Sequence, residues 1–262
     1  MEVHHHPHTS DPDSHRGRKK WTHYFFEFLM LFLAVFAGFL AENWREHIVE
    51  RKREKEYIRS MIEDLNRDTT VLALDNSIRK QAVLMYDSVI TLLNKKNRSQ
   101  FEQQRIYYLI RMGLRLSPFP ILNDRTYEQM KSSGNLRLIH EKEISDKITH
   151  YYFNIKEFSY NTDQTLSRLQ SLIEIQGKVF DGAVFQEMIN TENFEINQPG
   201  GSPALITEDK QTLNELSVRI HYVLSIILYS RNFVSGLEKE ASQLIETLKK
   251  EYHLSEGTPL EK

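Results

Sequence analysis

Residues 24–41 read YFFEFLMLFLAVFAGFLA, an apolar run of eighteen residues in which Glu27 is the only charged side chain. A helix of about 20 mostly apolar residues crosses the hydrocarbon core of a bilayer, which is roughly 30 Å thick. The two tryptophans of the chain, Trp21 and Trp44, bracket this run and are 23 positions apart. That separation is roughly 34 Å of helix, which suits aromatic anchors at both membrane interfaces. The pattern predicts one transmembrane helix over residues 21–44.

Two other interpretations of this run stay open at the level of sequence. A buried core helix can be equally apolar, but it would rarely follow a basic segment such as HRGRKK at residues 15–20. A cleaved signal peptide has the same order of basic and apolar regions, and Val35-Phe36-Ala37 is a tolerable cleavage site. Against cleavage, the apolar run continues past Ala37 and the second tryptophan lies beyond it.

One face of the predicted transmembrane helix combines a carboxylate with small residues. Glu27, Ala34, Gly38 and Ala41 follow one another at spacings of seven, four and three, so they share one helix face. Small residues let a second helix approach closely, and a carboxylate in lipid normally faces a partner, water or a headgroup. The stripe predicts a helix–helix interface, in a homo-oligomer or with another membrane protein. Alternatively, Glu27 reaches interfacial water, or it relays protons as an acidic residue does in single-span stator subunits.

The charges beside the run favour a cytoplasmic N-terminus. The basic residues directly before it are unopposed within residues 14–20, whereas those that follow, within residues 45–55, are mixed with glutamates. Orientation depends on the Lys and Arg nearest the membrane. We therefore expect a single-pass protein of the bacterial inner membrane, with its helical domain outside the cytoplasm.

The N-terminal tail, residues 1–20, is polar and rich in histidine. It begins MEVHHHPHTSDPDSH and has nothing apolar to bury, so it is expected to be disordered, as are residues 255–262. Imidazole nitrogens bind Zn²⁺, Ni²⁺ or Cu²⁺. The metal candidates are His4, His5, His6 and His8. A flexible tail lacks the fixed geometry of a specific site, so the alternative is a solvated tail with adventitious metal affinity.

The rest of the chain, residues 45–254, predicts a bundle of long helices. The seven prolines leave three long proline-free stretches rich in helix-forming residues. The first helix is expected to continue from the membrane to about Asn94, with a phase shift or bend near residues 68–75. Shorter helices should begin at a Ser99–Glu102 capping box and at Asn123 or Asp124, the latter stopping at Gly134. A second long helix is expected over about residues 140–180, followed by a loop over residues 191–206.

The last helix has the most regular pattern. Apolar residues alternate three and four apart over five heptads, with only Ser230 polar among them: Leu213, Leu216, Ile220, Val223, Ile227, Val234, Leu237, Ala241, Leu244 and Leu248. Such a seam belongs in the interior of a bundle or in an intermolecular coiled coil. The fold class expected is therefore all-α, with one N-terminal transmembrane helix followed by an antiparallel bundle.

No catalytic motif is present, and no cofactor is expected. The charges nearly balance, 34 Lys and Arg against 36 Asp and Glu, which argues against a nucleic-acid partner. Cysteine is absent, and the segment beginning His140-Glu141 lacks the second histidine of a zinc-protease helix. The remaining ligand candidates are Arg111, Arg125, Tyr127 and Arg137, since arginines beside tyrosines bind anionic or planar groups. Alternatively, these side chains fill and cover the bundle.

Two passages resemble a family of bacterial single-span membrane proteins of unknown function that have a His-rich N-terminal tail. One is MEVHHHPH with the apolar run and the trailing AENWRE at residues 41–46; the other is TYEQMKSSGNLRLI at residues 126–139. The resemblance covers roughly residues 1–160 and implies a membrane-anchored helical protein without implying any chemistry.

These observations favour a non-enzymatic envelope protein that binds the lipid bilayer and a protein partner, or itself, through the transmembrane helix and the bundle. The alternative is a ligand-binding sensor domain that acts through a separate transducer, because the short tail has no room for a signalling domain. An enzyme is the third hypothesis.

Overall fold

The computed structural model describes residues 16–116 and 120–254. Residues 1–15 of the predicted 1–20 tail and the predicted tail over residues 255–262 lie outside the described residues, whereas residues 16–20 belong to the first helix. The helices are α1 (Arg16–Leu93), α2 (Gln100–Arg115), α3 (Arg125–Ser132), α4 (Lys142–Gln176), α5 (Gly182–Glu187) and α6 (Lys210–Glu251), with a 3₁₀ turn over Asn135–Leu138. In the described part of the chain the only β pairing is an isolated bridge between Ile189 and Ile196. The all-α prediction is confirmed.

The chain divides into two units, Met1–Arg53 and Glu54–Lys262. In the first unit, α1 contains a segment long and apolar enough to cross a membrane, with a mean hydropathy of 2.1 over its best eighteen residues. None of that window is buried within the structure. A core helix of a soluble protein would bury most of its apolar side chains, so this exposure separates the segment from a core helix.

In the second unit, the helix ends follow the predicted capping signals. Ser99 Oγ accepts a hydrogen bond from the Glu102 N–H at 3.3 Å, and Glu102 Oε2 accepts one from the Ser99 N–H at 3.0 Å, which confirms the capping box of α2. The turn after α3 places Gly134 at φ 71°, a conformation that favours glycine. One detail was wrong: Asp124 precedes α3 but makes no side-chain capping bond.

The α6 seam is buried along its full length, as predicted. Its residues belong to two hydrophobic clusters. The Tyr107 cluster contains α1 residues 82–93, most of the α2 core, the end of α4 and α6 residues 213–227. The Tyr151 cluster contains α1 residues 58–72, α3, the start of α4 and α6 residues 234–248. Burial of this seam inside the chain's own core favours the bundle interpretation of its heptads.

The predicted phase shift in α1 was wrong. Buried residues recur at 54, 58, 61, 65, 68, 72, 75, 79, 82, 86 and 89, always three or four apart, so one seam runs without interruption from residue 54 to the end of α1. The apparent shift arises because Asp68, Asp75 and Arg79 occupy seam positions, so the apolar pattern of the sequence is interrupted there although the buried face is not. The seam continues through polar side chains rather than moving to another face.

The segment between α4 and α6 closes one end of the bundle. The helix predicted to reach Phe180 ends at Gln176, and turns carry the chain on to Phe180. The Ile206 N–H donates to the Val179 carbonyl at 2.9 Å, and the Leu205 N–H donates to Gln103 Oε1 at 3.0 Å. These bonds hold the predicted loop over residues 191–206 against α2 and the end of α4.

Candidate functional site

The four ligand candidates do not form one site. Arg111 lies on α2 beside the Tyr107 cluster, where its guanidinium carbon is 5.1 Å from the centre of the Phe185 ring. Tyr127 is buried in the Tyr151 cluster. Arg125 is exposed, with one guanidinium nitrogen 3.4 Å from Asp64 Oδ1, and Arg137 is exposed. Arg111 lines a cavity of about 620 Å³.

The predicted interface stripe is exposed in this structure, since Glu27, Ala34, Gly38 and Ala41 are all exposed. A Cβ added at Gly38 would meet no atom within 4 Å. The packing of the chain itself therefore does not require glycine at this position. A larger side chain there would be free of internal clashes and would alter only what approaches from outside.

The metal candidates His4, His5, His6 and His8 lie outside the described residues. Among the residues that the structure does describe, no group of three or more histidine, aspartate or glutamate side chains is arranged to hold a metal ion.

A buried carboxylate site that sequence reasoning missed lies in the Tyr151 cluster. Asp68, fully buried, accepts hydrogen bonds from the Asn123 backbone N–H at 2.8 Å, from Asn123 Nδ2 at 2.9 Å and from the Tyr151 hydroxyl at 3.0 Å. Asp64, one turn earlier, accepts from the Thr126 hydroxyl at 2.5 Å. These bonds fasten α1 to the segment before α3, to α3 and to α4. The sequence signal was the position of Asp68 on the apolar face of α1.

Three tyrosines pack against one another beside this site. Tyr127 and Tyr152 stack with ring centres 4.3 Å apart, and Tyr151 meets Tyr152 edge-on at 5.2 Å. Burial, with the nearby Asp68 charge, raises the pKa of both Tyr151 and Tyr152, so both hydroxyls stay protonated. Burial also raises the pKa of Asp68 above its ordinary range, against the lowering effect of its hydrogen bonds.

A buried polar layer separates the two hydrophobic clusters. Arg79 Nε lies 2.6 Å from Asp75 Oδ2, and Arg79 Nη1 donates to Ser230 Oγ at 2.5 Å. The guanidinium carbon is also 5.7 Å from the centre of the Phe158 ring. Burial raises the pKa of Asp75, although its contact with Arg79 opposes the shift. Arg79 and Asp75 are only 2% and 3% exposed and pair within α1, and the bond from Arg79 to Ser230 links this pair to α6.

A groove of about 650 Å³ lies between α4 and α6 at the other end of the second unit. Four of its nine lining residues are acidic, and His150 Nδ1 lies 2.7 Å from Glu240 Oε1. Asn154 Nδ2 donates to the other oxygen of Glu240 at 2.9 Å. Several of the polar groups that line this groove are thus bonded to one another or to a neighbour, as Lys147 is to Glu143, which is typical of a solvated surface.

The cavity beside Arg111 has a different character. It measures about 620 Å³ and lies between α2, the end of α4, α5 and the loop before α6. Arg111, Arg115 and Gln176 supply its polar lining, and no acidic residue lines it. Its apolar lining consists mainly of Leu114, Ile173, Phe180, Phe185, Ile196 and Ile206. A cavity with a cationic side and an apolar side suits a small anionic molecule.

Comparison with protein-family models, with curated proteins and with solved structures finds no match for this chain. The resemblance of residues 1–160 to a family of single-span proteins therefore stays a prediction, and any role for these sites follows from their own geometry.

Proposed function

We propose that the protein is a single-pass membrane protein of the bacterial inner membrane, and that its helical bundle is a non-enzymatic module for binding other proteins or a second copy of itself. The observation that carries this proposal is the uncovered apolar segment of α1, which no part of the structure buries. A segment of this length exposed to water would be a strong aggregation liability, whereas a bilayer covers it.

The proposed orientation places the N-terminus in the cytoplasm and the bundle outside it. The unopposed basic residues just before the span support this orientation, because Lys and Arg close to the membrane are retained on the cytoplasmic side. The opposite orientation would expose the His-rich tail outside the cytoplasm and turn the search for partners to the cytoplasm.

Two surfaces support an interaction role. In the span, Glu27 and Gly38 lie on one open face, where a second helix would give the carboxylate a partner and fill the space at the glycine. On α6, Val218, Tyr222 and Tyr229 are 44%, 53% and 66% exposed. Their spacings of four and seven residues place them on one face of the helix. Exposed aromatic side chains of this kind are enriched at protein interfaces.

Anchoring and orientation can be tested in a chain that has no cysteine of its own. Ser10→Cys and Ser242→Cys variants report the two sides of the span; Ser242 is exposed, and its hydroxyl bonds only within α6. A membrane-impermeant maleimide added to cells with a permeable outer layer should label Ser242→Cys before lysis and Ser10→Cys only after it. Release of the protein by alkaline washing, or a mature chain lacking the span, would overturn anchoring; the reversed labelling pattern would overturn the orientation.

The interface in the span is tested by Gly38→Leu, with Phe36→Leu on the opposite face as the matched control. Because a side chain at position 38 meets nothing in the chain, the variant should fold and insert normally. We expect Gly38→Leu to weaken association in detergent by about tenfold or more, and Phe36→Leu to leave it unchanged. A wild-type protein that remains a lone monomer at every concentration and captures no membrane partner would remove this part of the proposal.

A ligand-binding domain that acts through a separate transducer is the second candidate function. The cavity lined by Arg111 favours it, because a packed scaffold has no need of an open cationic cavity of this size. The two functions differ in their readout, since a scaffold should respond to disruption of its interfaces and a sensor to a small molecule.

A further inference from the structure

The cavity at the closed end of the bundle presents two cationic side chains that lack an internal counter-charge. Within the described residues, Arg111 and Arg115 form no salt bridge, although the bundle pairs many of its other charged side chains. No carboxylate lines the cavity. Guanidinium groups left without a carboxylate in a concave, partly apolar site attract an external anion.

Two buried hydrogen-bond donors beside the cavity also have no partner among the described residues. Gln176 is only 5% exposed, and its Nε2 atom is buried without an acceptor. The Nε atom of Arg111 is likewise buried without an acceptor. Buried donors without partners are uncommon, because each one loses its bonds to water without replacement. Both side chains line the cavity, and an acceptor bound there would satisfy these donors once the side chains rotate to expose them. Gln176 thus gives a second, independent indication of a ligand at the place where the arginines lie.

The remaining walls of the cavity are apolar and well supported. The ring centres of Phe180 and Phe185 lie 5.3 Å apart, and the Tyr107 ring packs edge-on against both rings. The Tyr107 hydroxyl accepts from the Asp181 N–H at 2.9 Å and donates to the Ala204 carbonyl at 3.0 Å. One tyrosine thereby holds the start of α5 and the loop before α6 in place around the cavity. At its rim, Ile173 and Ile206 are 55% and 60% exposed, which leaves apolar surface for a ligand to cover.

We propose that this cavity binds a small amphipathic carboxylate, whose anionic end lies against Arg111, Arg115 and Gln176 and whose apolar body lies against Phe180 and Phe185. A planar carboxylate matches the two parallel N–H groups of a guanidinium. An aromatic or short aliphatic body matches the ring surfaces, and the volume of about 620 Å³ is that of an ordinary small-molecule site. The inference rests on the second candidate function and specifies its ligand class.

The test uses the full-length protein in detergent and measures its thermal stability and its affinity for 3-phenylpropanoate by calorimetry. The neutral analogue 3-phenylpropanol keeps the apolar body without the charge, and inorganic phosphate keeps a charge without the apolar body. We expect saturable stabilisation by 3-phenylpropanoate, and none by the other two at concentrations up to about 10 mM. Equal stabilisation by the alcohol, or no stabilisation by the carboxylate, would overturn the proposal.

Substitutions assign the binding to this cavity. Arg111→Gln should weaken binding of 3-phenylpropanoate by about tenfold or more. Arg115→Gln, at an exposed position that should not affect folding, should weaken it several-fold. Arg105→Gln, an exposed arginine on the same helix that does not line the cavity, is the matched control and should change the affinity less than about twofold. Equal affinities in all three variants would place the ligand elsewhere and overturn the site.

These outcomes are independent of the anchoring and interaction role. A cavity that binds nothing would leave the alkaline extraction, the maleimide labelling and the effect of Gly38→Leu unchanged. Conversely, a chain without a membrane span or an interface partner would still bind 3-phenylpropanoate through Arg111 and Arg115.

Discussion

Two helices of the same bundle, α6 and the part of α1 from residue 54 onward, carry seams with the same heptad spacing and very different chemistry. Along α6, Ser230 is the single polar residue among the buried seam positions. Along α1, four buried seam positions are ionisable: Glu54, Asp68, Asp75 and Arg79. The comparison teaches that spacing alone determines which face of a helix is buried, while the polarity tolerated there depends on partners from other elements.

Each ionisable group in the α1 seam has a specific partner. Asp75 pairs with Arg79 one turn away, and Arg79 reaches across to Ser230 on α6. Asp68 is bonded by Asn123 and Tyr151, and Glu54 accepts from the Tyr252 hydroxyl at 2.6 Å. A buried ion pair need not stabilise a fold more than apolar residues of the same size would. Arg79 also links α1 to α6 through its bond to Ser230, whereas its pair with Asp75 lies within α1 and does not depend on how the two helices align.

The largest expected effect comes from breaking the ion pair on one side only. Arg79→Ala leaves the Asp75 carboxylate buried without a counter-charge and removes a donor from Ser230. We expect a loss of about 4 kcal/mol in the free energy of unfolding, measured by urea titration of the full-length protein in detergent. Lys80→Ala, at the exposed neighbouring position, is the control and should change it by less than about 0.5 kcal/mol.

Replacing both members sharpens the same comparison. The double variant Asp75→Leu with Arg79→Met makes this part of the α1 seam resemble α6, and it should recover most of the stability lost in Arg79→Ala. A double variant as unstable as the single one would show that the polar layer stabilises the bundle through more than its internal pairing.

The second-largest effect is expected at Asp68. Asp68→Ala leaves the Asn123 N–H groups and the Tyr151 hydroxyl without their acceptor in a buried site, which should cost about 3 kcal/mol of unfolding free energy. Asn66→Ala, at an exposed position on the same helix, is the control. A loss below about 1 kcal/mol would mean that water replaces the carboxylate at this site.

The pH dependence of stability tests the ionisation of the same group. Burial raises the pKa of Asp68, so the folded protein binds its proton over a range in which the unfolded chain, with a pKa of about 3.9, has released it. The contribution of Asp68 to stability should therefore rise as the pH falls through its folded pKa, and level off below about 3.9. Unfolding titrations of wild type and Asp68→Asn between neutral and mildly acidic pH measure this difference. If the stability contributed by Asp68 instead falls as the pH falls, the hydrogen bonds lower its pKa by more than burial raises it.

A smaller effect is expected where Gly113 of α2 packs against Tyr86 of the α1 seam. A Cβ at Gly113 would lie 2.9 Å from two ring carbons of Tyr86, so Gly113→Ala should cost about 2 kcal/mol despite the better helix propensity of alanine. Gly236→Ala on α6 is the matched control, because a Cβ there meets nothing within 4 Å. We expect the control to stabilise the protein by about 0.5–1 kcal/mol in the same unfolding measurement. Equal effects of the two substitutions would contradict the close packing of α2 on α1.

The smallest effect is expected at the one polar position of the α6 seam. Ser230→Ala removes the acceptor for Arg79 but leaves the Arg79–Asp75 pair intact, so a loss of about 1 kcal/mol in the free energy of unfolding is expected. In the Arg79→Met, Asp75→Leu background the same substitution should be nearly neutral. A full loss in both backgrounds would show that Ser230 acts through its bond to its own helix and not through Arg79.

Much of the fold was predictable because the deciding signals are local. The capping box at Ser99, the stop at Gly134 and the heptads of α6 each depend on residues within a few turns of one another, and each appears in the structure where it was expected. The α1 seam was only half predictable. Its apolar residues marked the buried face at both ends, but the interruption at Asp68 and Asp75 resembled a change of face, since an isolated helix would not bury them.

The candidate site was predictable to a smaller degree. Arg111 was identified from the abundance of arginine and tyrosine around it, but it was grouped with Arg125, Tyr127 and Arg137, from which the fold separates it. Gln176 and Phe185, which make the cavity distinctive, carry no sequence signal of their own. Their proximity to Arg111 arises when the end of α4 and α5 fold back onto α2.

The sequence by itself therefore determined the long helices, several helix ends, the apolar run and the buried face of α6, because these follow from side-chain periodicity and local hydrogen bonding. Only the tertiary structure decided that four charged residues of the α1 seam are buried, and that Arg111 lies beside an uncharged glutamine and two phenylalanines whereas Arg125 and Arg137 do not. The physical reason is that a charged side chain can be buried only where distant residues come within hydrogen-bond reach of it. No local sequence pattern shows which distant residues those are.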